Sequence, residues 1–424
     1  MSSRVRETDP SHVVMVRAWE RNAEVAMPEP LAVYGSNHHG MRQFNERTIL
    51  QALRLHGPTP KAELARLTRL SKQTVGTIVD RLLADGLLLK QARIRGGIGQ
   101  PSVPLALNPD GAFGIGVQLG RRSLEVLVAD FVGQVRYRHS LQYEAPDPQR
   151  LLPHIEQELR GVRRRWAAQW PRVSGVGLAA PRDMHLWTEV LGPAAAPVLA
   201  RWQGVDLLAT VQRMVDVPVV LARDTLAACA AELWQGHGQT CANFLYIFVG
   251  TFVGGGVVLG GHIMGGLHGN AGAIGSMPLG RSERADAAQL LEVASVWSLE
   301  RALQERGWDS QRALGDAEVP APVADVVQAW LLRAGDALAM TVTTAAAMLD
   351  VDAVIIDASL PPALLQALVS SVQSQLGHYR WWGLRPPRVM AGRVGRHARA
   401  LGGALLPLHA AFFPDRAVFL KPQE

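Results

Sequence analysis

Lys72, Gln73, Thr74, Thr77 and Arg81 fall on the polar side of a short segment whose other side is apolar. Over residues 71–83 the apolar positions Val75, Ile78, Val79, Leu82 and Leu83 keep the i, i+3, i+4, i+7, i+8 spacing of an amphipathic helix. Ser71 stands where an N-cap belongs. Lys and Arg can grip phosphates, and Gln and Thr can hydrogen-bond base edges. The plain alternative is a helical hairpin in an ordinary core. The Leu-Ser-Lys-Gln-Thr-Val run and the basic residues flanking it favour DNA.

The neighbouring segments supply what a DNA-reading helix needs to be positioned. A preceding helix places Leu64 and Leu67 inward, with Ala62 and Ala65 small enough for a close crossing. Upstream, residues 45–56 predict a first helix with Ile49, Leu50 and Leu53 inward. Asp85-Gly86 ends the reading helix. Residues 87–90 and 103–107 predict two strands of a β-hairpin, and the glycine-rich tip between them carries Arg93 and Arg95. Such a wing can reach phosphates or a minor groove.

Charge is concentrated in the same place. Residues 41–106 hold eleven Lys/Arg against four Asp/Glu, a net +7, while the whole chain is only +6. A localised basic patch is the electrostatic footprint of phosphate binding.

At 424 residues with 48% hydrophobic content, the chain is long enough for two or more domains with sizeable cores. No apolar run reaches the length of a membrane span, and the first residues lack the apolar core of a secretory signal, so the expectation is a cytoplasmic protein without a membrane partner. The two cysteines, Cys229 and Cys241, are expected as reduced thiols. No CxxC pair or His/Cys cluster is evident, so no metal site and no cofactor are expected.

From residue 113 strands alternate with helices, which predicts an α/β arrangement. Strands are expected at 113–119, 124–130, 135–142, 173–178 and 217–221, with helices at 148–170 and 225–236. A second half starts near residue 243, with a strand at 243–249 and a glycine-rich turn at 250–256. A hairpin at Gly261-His262, helices at 285–306, 323–347, 361–377 and 394–412, and strands at 351–357 and 388–391 complete it. Backbone N–H groups of the glycine-rich turn at Gly250, Thr251 and Gly254 can cradle a phosphate; a tight hairpin explains the same composition. Two α/β lobes with a cleft between them suit a sugar or nucleotide.

These segments together resemble the ROK family of repressors and sugar kinases, in its repressor branch, over about residues 41–424. The carriers are LSKQTVGTIVDRLLADGLL, PVVLARDTLAACAAELW (218–234), YIFVGTFVGGGVVL (246–259) and GGLHGNAGAIGSM (265–277). The resemblance implies a winged helix-turn-helix followed by a two-lobed, actin-like sugar-kinase fold. It implies an effector cleft near Arg182, Arg223, Asp224, His268, Asn270 and Gly272, with Asp224 where the family has its catalytic base. It also shows departures. Gln118 replaces the Asp of the first phosphate motif, and Arg121-Arg122 replace its Gly-Thr pair. Ala273 and Ser276 replace the Glu and His of the sugar signature, and Arg223 replaces the Asn before Asp224. The zinc-binding cysteines are missing from SERADAAQLL at 282–291. The expectation is a vestigial base without kinase activity, and an Arg223–Asp224 ion pair that neutralises it.

The expected organisation is an N-terminal extension at 1–40, a winged helix-turn-helix at 41–107, a first α/β lobe at 108–236 to which the helix 393–413 returns, and a second lobe at 237–392. The expected function is a DNA-binding transcriptional regulator of carbohydrate-related genes. Its expected partners are a double-stranded operator, a second copy in a homodimer or homotetramer, and a small-molecule effector, a sugar or an anionic sugar derivative. A sugar kinase with a fused DNA-binding domain and a ligand-independent scaffold remain the alternatives.

Overall fold

The computed structural model describes residues 38–92, 103–181, 184–187, 193–281, 288–315 and 318–414. The expected N-terminal extension lies almost wholly outside them, as do the wing tip with Arg93 and Arg95, and Arg182. The chain divides into two compact units. The first comprises Met1–Leu178, Asp183–Leu221 and Gly403–Glu424; the second comprises Ala179–Arg182 and Ala222–Gly402.

The first unit opens with α1 (His38–His56), β1 (Thr59–Pro60), α2 (Lys61–Thr68), α3 (Lys72–Ala84), β2 (Leu88–Lys90) and β3 (Pro104–Leu107). Ile49, Leu50, Leu53, Leu64, Val75, Ile78, Val79 and Leu82 are buried, as their helical spacing predicts. Ala62 is exposed and Leu67 only half-buried, so Ala65 alone provides the small buried residue on α2. The strands form a three-stranded sheet in the order β1-β3-β2. The short β1, which periodicity does not reveal, pairs Thr59 with Leu105.

The same unit carries a five-stranded sheet, β4 (Phe113–Leu119), β5 (Ser123–Asp130), β6 (Val135–Gln142), β7 (Val173–Ala179) and β8 (Val219–Ala222), ordered β6-β5-β4-β7-β8. Strands β4, β5 and β6 form an antiparallel meander. Helix α4 (Pro148–Arg165) buries Leu151, Ile155, Leu159 and Val162 and is capped by Asp147, whose side chain accepts from Gln149 N. It ends five residues before the expected 170, where a 3-10 turn at Trp170–Arg172 takes over.

Arginines join the winged-helix part to the rest of this unit. The Arg54 guanidinium lies over the rings of Phe413 (4.4 Å) and Phe131 (5.6 Å). Burial lowers its pKa to about 10. Arg172 reaches the carbonyls of Gly86, Asp110 and Gly111 at 3.2–3.5 Å.

The second unit begins with α5 (Asp224–Gln235), expected in the first lobe. Its sheet holds β9 (Phe244–Val249), β10 (Val253–Leu259), β11 (His262–Met264), β12 (Ala353–Ala358) and β13 (Arg388–Ala391) in the order β11-β10-β9-β12-β13. Strands β9 to β11 are antiparallel, and β12 runs parallel to both β9 and β13. The helix expected at 285–306 is instead two, α6 (Leu290–Ala294) and α7 (Val296–Glu305). They break at Ser295, which is extended and caps α7 by accepting from Ser298 N at 3.2 Å. Helices α8 (Ala324–Leu349) and α9 (Pro362–Leu376) pack together, with Ser371 Oγ donating to Leu331 O at 2.8 Å.

The last helix, α10 (Ala398–Phe412), starts in the second unit and passes into the first at Gly403. Its small residues permit backbone contact. A Cβ on Gly402 would stand 1.7 Å from Ala227 O, and one on Gly177 would stand 1.9 Å from Gly403 O. Only glycine fits at either place.

Candidate functional site

The exposed face of α3 is built by its cap. Arg69 is left-handed at the end of α2 (φ 56°), and Ser71 is extended. Ser71 Oγ accepts from Thr74 N at 3.0 Å and shares a 2.8 Å hydrogen bond with the Thr74 hydroxyl. Thr74 is therefore half-buried and turned back on the cap. Lys72, Gln73 and Thr77 are exposed, and Thr77 Oγ1 donates to Gln73 O at 3.2 Å.

Arg81, expected on a phosphate, has an acidic partner within the protein. Its guanidinium pairs with Glu46 of α1. The ion pair links two helices of the winged fold. Gly76, which the periodicity passes over, stands in mid-helix, where a Cβ would meet nothing within 4 Å. Glycine costs a helix interior about 1 kcal/mol relative to alanine, and no packing within the described residues requires it.

The helix stop follows the sequence. Gly86 takes φ 72°, and Leu87 N donates to Leu82 O at 2.9 Å. The wing strands pair Leu88 with Leu107 and Lys90 with Leu105, leaving Lys90 exposed.

In the second unit, Asp224 opens α5. Its Oδ1 accepts from Thr225 N at 2.9 Å, and its own N–H donates to Ala180 O at 3.2 Å. The cation paired with it is Arg399 of α10, with Nη1 3.4 Å from Oδ2. Arg223, expected in that role, donates to Ala271 O at 2.8 Å and so ties down the loop that carries Gly272. Gly272 takes φ 76° and lies against Gly256, where a Cβ would be 2.6 Å from Gly256 Cα. His268, Asn270 and Ser276 are exposed, and Ala273 is half-buried.

The glycine-rich run is mostly strand. Gly254, Gly255 and Gly256 lie inside β10, so the turn shrinks to Gly250, Thr251 and Phe252. The strand glycines have packing reasons: a Cβ on Gly254 would meet Thr225 at 2.7 Å, and one on Gly256 would meet Cys229 Sγ at 2.7 Å. The β10–β11 turn falls on Gly260 and Gly261, both with positive φ, one residue earlier than expected.

Two buried carboxylates escape sequence reasoning. Glu232 of α5 accepts backbone N–H groups from His237, Arg393 and Val394 at 2.9–3.3 Å. Asp357 accepts from Tyr246 Oη (3.1 Å), Ala358 N (2.8 Å) and Gly395 N (3.1 Å). Burial, helped by the nearby Glu232, raises the Asp357 pKa to about 6 against the pull of these hydrogen bonds.

In the first unit, Gln118 is buried opposite Glu125, and its Nε2 has no hydrogen-bond partner among the described residues. The turn after β4 is held by Tyr143, whose Oη reaches the carbonyls of Gly120 and Ser123. The structure also gathers His139 of β6 with His154 and Glu158 of α4. The four-residue spacing of His154 and Glu158 is legible in the sequence, but His139 joins them only through the fold.

Comparison with known proteins places these parts in a wider setting. Residues 114–410 match the model of the ROK family, and residues 45–88 match a model described as winged helix-turn-helix DNA-binding. An uncharacterized protein, y4fQ of Sinorhizobium fredii, is 25% identical over 371 residues, covering 87% of this chain and 92% of its own. The xylose repressor of Caldicellulosiruptor bescii is 24% identical over 242 residues, covering 56% of this chain and 59% of its own length. A crystal structure of a ROK family transcriptional regulator, described as a homolog of the E. coli MLC protein, superposes with a TM-score of 0.62 at 20% identity. It covers 88% of this chain and 97% of that one.

Proposed function

The chain belongs to the ROK family and carries a winged helix-turn-helix ahead of its ROK domain, and from that premise we propose that it is a transcriptional repressor of carbohydrate-related genes. The observation that carries this reading is the exposed face of α3, with Lys72, Gln73 and Thr77 beside a capped, well-packed helix. The xylose repressor relative supports the class of genes, although the match spans about three fifths of that protein's length. The working site would be the cytoplasm, where the operator is; no helix among the described residues is long and apolar enough to cross a membrane.

The protein acts as a homodimer or homotetramer. One winged helix buries a modest interface, so pairing two on one duplex raises affinity through effective concentration. The operator is then roughly palindromic.

The ROK domain serves sensing and assembly rather than phosphoryl transfer. A kinase needs a base, a phosphate cradle and a held metal ion. Here the would-be base Asp224 faces Arg399, and the positions for phosphate and sugar contacts hold Gln118, Ala273 and Ser276. A sugar or anionic sugar derivative binds in the second unit around Asp224, His268, Asn270 and Gly272. It shifts the population of DNA-binding-competent dimers by its differential affinity for the two states.

The test is footprinting of the purified protein on the DNA flanking its own gene, beside a sugar-dependent ATP-turnover assay. Protection of a palindromic site, relieved by a sugar and without ATP turnover, is expected. Hexose phosphorylation abolished by Asp224→Asn would restore the kinase reading.

A further inference from the structure

We propose that His139, His154 and Glu158 form a binding site for a divalent transition-metal cation of borderline softness, the class of Zn2+, Co2+ and Ni2+. The proposal departs from the sequence expectation of no metal. It lies far along the chain from the cysteine-free segment at 282–291, and it does not rest on the regulatory reading.

The geometry starts from two local periods. Strand β6 alternates, so Tyr137, His139 and Leu141 are half-buried while their neighbours are exposed. On α4, His154 and Glu158 are four residues apart and flank the buried stripe of Leu151, Ile155 and Leu159. Residues so spaced share one helix face, as in helical zinc-binding pairs. One potential ligand atom from each of the three side chains lies within 4.8 Å of the other two. His139 Nε2 is 3.8 Å from Glu158 Oε1, and the imidazole rings are 5.5 Å apart.

The nitrogens need a partner. His139 Nε2 and His154 Nε2 are both buried, and neither has a hydrogen-bond partner among the described residues. Two unsatisfied polar atoms beside one carboxylate are costly, and a single cation would satisfy all three groups. Donors around a tetrahedral zinc at 2.0–2.1 Å are about 3.3 Å apart, so side-chain rotation must close the set by up to about 1.5 Å.

The carboxylate is already oriented. Tyr137 Oη donates to Glu158 Oε2 at 3.0 Å, leaving Oε1 on the histidine side. Tyr137 is itself fixed by an edge contact to Trp166 at 5.7 Å and by Arg165 over its ring at 4.8 Å. Such outer hydrogen bonds tune metal ligands. Two imidazoles and one carboxylate suit zinc-class ions better than Mg2+ or Ca2+, which prefer all-oxygen shells. The bound ion would tie the edge strand β6 to α4, and the partly exposed His139 leaves a coordination position for water.

The experiment uses the untagged full-length chain, stripped with a chelator and dialysed. Zn2+ is titrated by calorimetry, and Co2+ by its visible absorption. The wild type should bind one equivalent more than the His139→Ala/His154→Ala double variant, and Tyr137→Phe should weaken that equivalent about tenfold. Equal stoichiometry and affinity in wild type and double variant would overturn the site. A second readout needs no variant. Zn2+ should protect His139 and His154 from acylation by diethyl pyrocarbonate, mapped by peptide mass against the other eleven histidines. Unchanged labelling of both residues at saturating Zn2+ would overturn it equally.

Discussion

Arg399 of α10 holds its Nη1 3.4 Å from Oδ2 of Asp224 at the start of α5, and both side chains are more than four-fifths buried. Its guanidinium also lies 5.0 Å from the centre of the Phe248 ring. Asp224 thus faces a fixed cation across a mostly buried contact. Removing the cation strands a poorly hydrated charge. Arg399→Met should therefore destabilise the second unit by about 1–3 kcal/mol, read by urea unfolding, while Arg399→Met with Asp224→Asn should recover part of the loss. Additive losses in that double-mutant cycle would argue against a coupled pair.

On DNA, Gln73→Ala should relax sequence preference with little effect on random DNA. Lys72→Ala should weaken binding to every sequence and reduce the salt slope by about one. Arg81→Ala should act differently from Lys72→Ala, because Arg81 is engaged by Glu46: it should lower fold stability more than it alters the salt slope. Binding titrations at several salt concentrations, paired with thermal melts, separate the two.

Gly76→Ala should raise the stability of the winged helix by roughly 0.5–1 kcal/mol, since a Cβ there meets nothing and glycine is a poor helix former. If a groove wall approaches this part of α3, the same variant should bind DNA more weakly. Unchanged affinity would mean that the flat spot at Gly76 is not used.

Gly402→Ala should cost about 1–3 kcal/mol or more, because the added methyl meets the Ala227 carbonyl, a backbone atom that cannot swing aside. Gly161, where a Cβ meets nothing, is the control: Gly161→Ala on α4 should be neutral or stabilising.

Asp357 predicts a pH dependence. Its folded pKa, about 6, lies above the unfolded value near 3.9, so the folded state binds the extra proton between about pH 4 and 6. The stability this group contributes is complete below that window and is lost as pH rises through 6. Above pH 6, its ionisation lowers folding stability by roughly 3 kcal/mol relative to a carboxylate whose pKa folding does not shift. The melting temperature of Asp357→Asn, compared with wild type, should therefore improve between pH 4.5 and 7.5. A difference that stays constant with pH would contradict this assignment.

Much of this protein is determined by local pattern. The apolar spacing of residues 71–83, the Ser71 cap and Gly86 specify the reading helix and its stop, because each acts within a few residues. The strand alternation at 113–142 likewise needs no distant partner to be legible. Composition failed where one residue type serves two purposes. The glycines at 254–256 read as a turn, yet they are strand positions made small by Thr225 and Cys229 of a helix packed on them. Only the tertiary structure decided which charges meet. Asp224 takes Arg399 rather than its neighbour Arg223, Arg81 is taken by Glu46, and His139 reaches His154 and Glu158 across a strand–helix contact. The physical reason is reach. A side-chain charge or lone pair acts over a few ångströms, and which groups come within that distance depends on how sheets and helices are packed, which sequence spacing does not encode.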